Sequence, residues 1–295
     1  MDRLYLNSRL KCLSFVLIAL LLWANPVNAY RNKVEYLVCD IGSALTDSKI
    51  NINNYRQIVD ALINKLHCNG IKVHMDYAVK DPEQYSNNYF GIFNHALKSN
   101  MIILAEPSDS HRMLGKHKHL LNQKGKIDDQ KYADWVLAYA NYFAPQLLNV
   151  FNDIQLKGKR YKSMVDKIRQ GGLDRRVALM GLGRPNIVET IKLLDDAKLK
   201  KKLDFIGSRA SGPNSDATQK NWKRLIKKAG KIKVWSTDNG ASWSDTSGDA
   251  EKGIRAAVDA GVFGIVLKDA YPAYVKDDGG LTDKGVAIAE AVGKP

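Results

Sequence analysis

Two short apolar runs each end in a carboxylate. Leu147-Leu148-Asn149-Val150-Phe151-Asn152 leads into Asp153. Lys233-Val234-Trp235-Ser236-Thr237 leads into Asp238, and Asn239-Gly240 turns the chain after it. Such a run is a strand with an acid at its C-terminal end. A pair of carboxylates can divide a hydrolytic step. One, kept protonated, gives a proton to the leaving group; the other, kept ionised, attacks or activates water. The same form recurs. Strand-type runs end at Asp40, Asp76, Glu106, Asn152 with Asp153, Arg184, Arg209, Thr237 with Asp238, and Lys268 with Asp269. A purely structural sheet has no need of a polar residue at the end of nearly every strand, so these positions outline a candidate pocket.

The elements that must position them alternate. Strands are expected over 35–41, 71–77, 101–105, 147–152, 177–182, 203–208, 232–237 and 263–268. Between them lie helical stretches: 53–68, 83–99, 128–143, 159–170, one opening at Pro185, 216–229 and 249–260, with a last one over 283–292. Strict alternation argues a parallel sheet, and continuous apolar runs suit strands covered on both faces. Eight repeats select a closed (β/α)8 barrel, in which the strand C-termini share one face. The polar stretch 108–126, with His111, His117, His119 and several lysines, reads as an exposed loop rather than a metal site, and no Cys/His spacing suits zinc. His74, alone on the second strand, reads as a core residue.

Residues 1–29 stand apart. Arg3, Arg9 and Lys11 precede an apolar core of 13 residues, Cys12 to Ala24, and Val27-Asn28-Ala29 forms a small-residue cleavage site. The pattern predicts a signal peptide cut before Tyr30, hence a secreted or periplasmic protein with no stable membrane insertion after cleavage. Of the 295 residues, 266 would remain as one barrel domain over 30–295, near the roughly 250 typical of the fold. Removing three basic residues and one acid takes the net charge from +14 to +12. A basic exported chain is drawn to phosphate-rich envelopes and uronic-acid polysaccharides. No motif points to nucleic acid. Cys39 and Cys68 are expected as separate buried thiols, because the first lies near the end of a strand and the second at the far end of the following helix.

A resemblance adds to this reading. Lys131-Tyr132-Ala133-Asp134-Trp135-Val136, Asn149 to Asp153 and Tyr161-Lys162-Ser163-Met164-Val165 resemble the middle of the clan A glycoside hydrolases. Val234-Trp235-Ser236-Thr237-Asp238-Asn239-Gly240 resembles their strand-seven motif, and Ala260-Gly261-Val262 and Asp278 to Gly285 also fit. The likeness implies an exported enzyme acting on a polysaccharide or oligosaccharide, as a monomer without metal or cofactor. Asp153 would be the acid/base and Asp238 the nucleophile or second base, while Asp40, Asp76, Glu106, Asn152, Arg209, Trp235, Trp243 and Lys268 would line the substrate site. An indole stacks well on a pyranose face, which is the case for Trp235 and Trp243, although strand alternation reads Trp235 equally as a core residue. The family carries Glu where this chain carries Asp153 and Asp238. Two arms each shorter by a methylene widen a retaining gap of about 5–5.5 Å toward inverting spacing, or beyond use. A barrel that binds glycan without cutting it is therefore a second reading. A phosphodiesterase-type barrel, suggested by Ala260 to Ile265, is a third.

Overall fold

In the computed structural model, the described residues are 34–46, 49–50, 53–107, 117–150, 158–184, 186–209, 216–239 and 247–292. They form a closed barrel of parallel strands in the order β1 to β8, the expected (β/α)8 architecture. The strands are β1 Tyr36–Asp40, β2 Gly70–Met75, β3 Ile102–Pro107, β4 Leu147–Asn149, β5 Ala178–Arg184, β6 Phe205–Ser208, β7 Lys233–Asn239 and β8 Gly264–Leu267. The helices are α1 Gly42–Thr46, α2 Tyr55–Asn64, α3 Asn87–Lys98, α4 Asp129–Phe143, α5 Gly158–Gln170, α6 Ile187–Leu193, α7 Ala197–Lys200, α8 Gln219–Ala229, α9 Ser247–Ala260, α10 Ala270–Ala273 and α11 Asp283–Val292. The short helices α1, α7 and α10 carry too few residues to show an apolar period, and sequence patterning did not separate them from loops. Among the described residues no helix is long and apolar enough to cross a membrane.

Local chemistry starts the helices where the chain leaves the strands. Ser86, Asp128, Asn186 and Thr218 each accept a backbone N–H of the first turn with the side chain, which satisfies donors that a helix leaves unpaired. Inward-facing Val38, Leu104, Leu147, Met180, Trp235 and Val266 fill the barrel lumen as one apolar cluster. Outward-facing residues such as Leu37, Cys39, Ile71 and Ile265 join the larger core between strands and helices. Glycines make room inside: a Cβ on Gly264 would lie 2.4 Å from the Trp235 ring, and one on Gly207 would lie 2.5 Å from Thr237 Cγ2.

The strands are staggered. Following paired residues round the barrel, Asp40 leads to Lys72, Leu104, Leu147 and Ala178, from the last residue of β1 to the first of β5. That stagger overturns the expectation of two free thiols. The start of β2 lies beside the middle of β1, with Val38 opposite Gly70, and Cys68, two residues before β2, comes within reach of the outward-facing Cys39. Their Cα atoms are 6.1 Å apart and the two residues form a disulfide, within the roughly 4.4–6.8 Å a bridge needs. Sequence order puts Cys39 at the top of the barrel and Cys68 at the bottom, a separation that the offset between neighbouring tilted strands removes.

Candidate active site

Above the apolar cluster the lumen turns charged. Lys72 is an inward-facing residue of β2 and is 3% exposed. Its Nζ lies 2.9 Å from Asp40 Oδ2 and 2.9 Å from Glu106 Oε1. Asn149, the last residue of β4, donates through Nδ2 to Glu106 Oε2 at 2.7 Å. The Gly42 N–H donates to Asp40 Oδ1 at 2.8 Å. One cation thus ties together strands β1, β2 and β3, and Asn149 extends the network to β4. Burial works against the charge on Lys72, but the fields of Asp40, Glu106 and Asp238 outweigh it and hold the ammonium well above its ordinary value. Lys72 is therefore a fixed charge and not a nucleophile.

Asp238 reaches the lumen through an irregularity in β7. Ser236 pairs with Ile265 and Asn239 with Leu267, so Thr237 and Asp238 together oppose Val266 alone. Two residues against one is a bulge, which turns both toward the lumen where regular alternation would turn one of them away. Asp238 is 2% exposed. Arg209 Nε donates to its Oδ2 at 2.9 Å, and Lys268 Nζ lies 4.0 Å from Oδ1. Burial alone would raise its pKa. The charges of Arg209, Lys268 and Lys72 overcome that and hold the carboxyl below the usual range, so it is ionised at neutral pH.

Asp269, one residue beyond β8 and Lys268, has the opposite bias. Burial and the neighbouring Asp40 charge raise its pKa, against the opposing hydrogen bond from Ser43 Oγ at 2.7 Å. Its backbone is left-handed, with φ 48° and ψ 42°. Such conformations are uncommon outside glycine and concentrate at functional positions. The two carboxyls at these strand ends thus carry opposite biases, Asp238 toward its ionised form and Asp269 toward its protonated one.

Three buried polar atoms in this layer have no hydrogen-bond partner among the described residues: His74 Nε2, Asn149 Oδ1 and Asp238 Oδ1. His74 Nε2 is 3.8 Å from Asp40 Oδ1, too far for a hydrogen bond. Each buried polar atom left unpaired costs about 1–3 kcal/mol. Three in one layer mark a place that a polar ligand or water would complete.

The other expected site residues divide. Asp40 and Glu106 are 1% and 0% exposed, and both oxygens of each are engaged within the protein, so they set the charge of the site from beneath. Asp76 serves its own turn: its backbone N–H donates to Tyr85 Oη and its carboxylate accepts from the Ala78 N–H. Trp235, expected either as a sugar-stacking wall or as core, is core, and its place in the substrate site is corrected. It is fully buried among Tyr36, Phe205 and Phe263, residues at or beside the first positions of β1, β6 and β8, near the base of the barrel. It is the third residue of β7 and faces inward, which puts it below the mouth. Asn152, Asp153 and Trp243 lie outside the described residues. Sequence reading missed Lys72 and Asn149. A lysine at the third position of an otherwise apolar strand was a visible signal for the first; β4 ending at Asn149, before Asn152, hid the second.

No family model matches the chain, and no curated protein does. Solved structures do match. A family 39 glycoside hydrolase from Bacteroides cellulosilyticus superposes with a TM-score of 0.63 at 10% identity, covering 88% of this chain and 63% of that one. The chain shares the fold of this protein. A xyloglucan-specific β-1,4-glucanase of family 5, from a ruminal metagenomic library, gives 0.56 at 10% identity over 88% of this chain and 96% of that one. The catalytic domain of a β-amylase from Paenibacillus polymyxa gives 0.59 at 9% identity over 89% and 100%. The chain spans under two thirds of the family 39 protein, and at these identities the likeness is one of fold.

Proposed function

We propose that this chain is an exported, glycoside hydrolase-like barrel that acts on a polysaccharide or oligosaccharide at the C-terminal face of its strands. The observation that carries the reading is Asp238. It is turned inward by a bulge, held ionised by Arg209, and keeps one carboxylate oxygen without a hydrogen bond. That is the state a nucleophile or base requires and an acid cannot use. Asp153 is assigned as the acid. Its proton goes to the leaving glycosidic oxygen as the C1–O bond breaks, while Asp238 either bonds to C1 or takes a proton from the attacking water. Structural neighbours described as acting on xyloglucan and as a β-1,4-mannanase support the substrate class. The leader pattern and the Cys39–Cys68 disulfide support export, since such bonds persist in oxidising compartments.

A second reading, glycan binding without cleavage, is favoured by the 2% exposure of Asp238 and its ion pair with Arg209. The two separate in one experiment. The full chain and Asp238→Asn are assayed for reducing-sugar release from xyloglucan, mannan, β-1,4-glucan and polygalacturonate, and for retardation in gels containing each polymer. A hydrolase releases sugar and loses about 10²–10⁴-fold in rate in Asp238→Asn while retardation persists. Retardation without release gives the binding reading. Neither effect on any polymer overturns both.

A further inference from the structure

The outer wall of the barrel carries a feature that the mouth does not explain. From Ala217 to Thr237 the sequence holds seven basic residues and no acidic one. Helix α8 takes up most of this stretch. Its buried face is Trp222, Leu225 and Ala229, and its exposed face is Lys220, Lys223, Arg224, Lys227 and Lys228. These positions recur at spacings of three and four, so like charges are stacked along one side of the helix. Lys220 with Arg224 and Lys223 with Lys227 are repulsive pairs that destabilise a helix. A helix kept only for solubility alternates its charges, and here the ion pair of Lys228 with Asp195 is the relief present among the described residues. The stripe continues beyond the helix. Lys231 and Lys233 are exposed, and Lys200 donates to the Lys228 carbonyl at 2.8 Å, which brings exposed Lys201 to the same edge. Because α8 runs from the end of β6 back to the start of β7, this edge leads away from the mouth.

We propose that the face built by α8 docks the protein on an anionic lipid surface. Three properties of the stripe select that partner. It is mostly lysine, a point charge suited to a diffuse field, where arginine would suit a fixed bidentate contact. Its one indole, Trp222, is fully buried, so the stripe offers no ring on which a sugar could stack. Its outward positions are charged, so contact is peripheral and electrostatic, without insertion. Docked this way, the barrel keeps its mouth clear of the surface. The proposal stands whether or not the mouth cleaves glycan.

The test is co-sedimentation of the full chain with phosphatidylcholine vesicles, with and without phosphatidylglycerol. Binding is expected to depend on phosphatidylglycerol and to be reversed by salt. The triple variant Lys220→Glu, Lys223→Glu, Lys227→Glu is expected to bind at least about 100-fold more weakly, since each lysine near such a surface contributes about fivefold and each glutamate adds repulsion. The control triple Lys98→Glu, Lys124→Glu, Lys252→Glu changes net charge equally at exposed sites elsewhere and should bind nearly as the parent chain does. Circular dichroism spectra and thermal midpoints matching the parent show that each variant is folded. The proposal is overturned if the parent chain ignores phosphatidylglycerol, if the α8 variant binds unchanged, or if the control loses as much. It is also overturned in favour of a polysaccharide partner if soluble polygalacturonate, without lipid, binds more tightly than the vesicles through the same three lysines.

Discussion

At the scale of the residue, Lys72 holds the site together. Two carboxylates 2.9 Å from one ammonium, all within 3% of full burial, depend on each other for charge compensation. Lys72→Met should destabilise the protein by about 3–5 kcal/mol, because it strands two buried charges where a surface pair would cost little. Urea unfolding checks this. Asp269→Asn works in the other direction. A carboxyl raised in the folded state binds its proton more tightly folded than unfolded, so its ionisation weakens the fold as pH rises through that interval. Removing the ionisation should make Asp269→Asn gain stability relative to the parent as pH rises above about 4. Equal midpoints at every pH would remove the raised carboxyl. These residues were partly legible in sequence. Asp40, Glu106, Asp238 and Asp269 all sit at strand ends, where a barrel collects them. Lys72 sits in mid-strand, and the register that sets it opposite Asp40 brings its ammonium into the charged layer.

At the scale of the element, two devices set the geometry. The first is the bulge in β7, which puts Thr237 and Asp238 side by side in the lumen. No residue type announces it: the extra residue shows only against the register of β8. The second is the fit of Trp235 against Gly264. A methyl on Gly264 would lie 2.4 Å from the ring, so Gly264→Ala should cost about 1–3 kcal/mol by overpacking. Combining it with Trp235→Leu should recover much of that loss in thermal melts. No recovery would mean that the glycine serves the backbone of β8 and not the ring. The disulfide acts at the same scale. It closes a segment with a separation of 29 residues, and a loop of that length is worth about 3–4 kcal/mol through the unfolded chain. Thermal unfolding with and without reductant measures it, and Cys39→Ser with Cys68→Ser should match the reduced parent.

At the scale of the whole molecule, charge decides behaviour in acid. Asp238 has a folded pKa below its unfolded one, so its stabilisation is complete above about 4 and is lost as pH falls through the folded value. Lys72 is raised, so its contribution is complete below about 10.4 and is lost only as pH climbs through its higher folded value. Unfolding followed by circular dichroism should therefore show a cooperative fall on the acid side below about 4, and no loss from Lys72 until the pH exceeds about 10.4. Asp238→Asn should blunt the acid fall. The sequence by itself determined the barrel. Eight alternations of apolar runs with amphipathic stretches leave no other closed arrangement, because period and order are local properties of the chain. It also determined that acids and bases gather at one face. Tertiary structure decided which of them touch. The stagger of tilted strands sets the start of β2 beside the middle of β1 and brings Cys68 to Cys39, a bulge turns Asp238 inward, and inward alternation sinks Trp235 into the base of the lumen. Register, tilt and bulge are relations between strands distant in sequence, and no single strand records them.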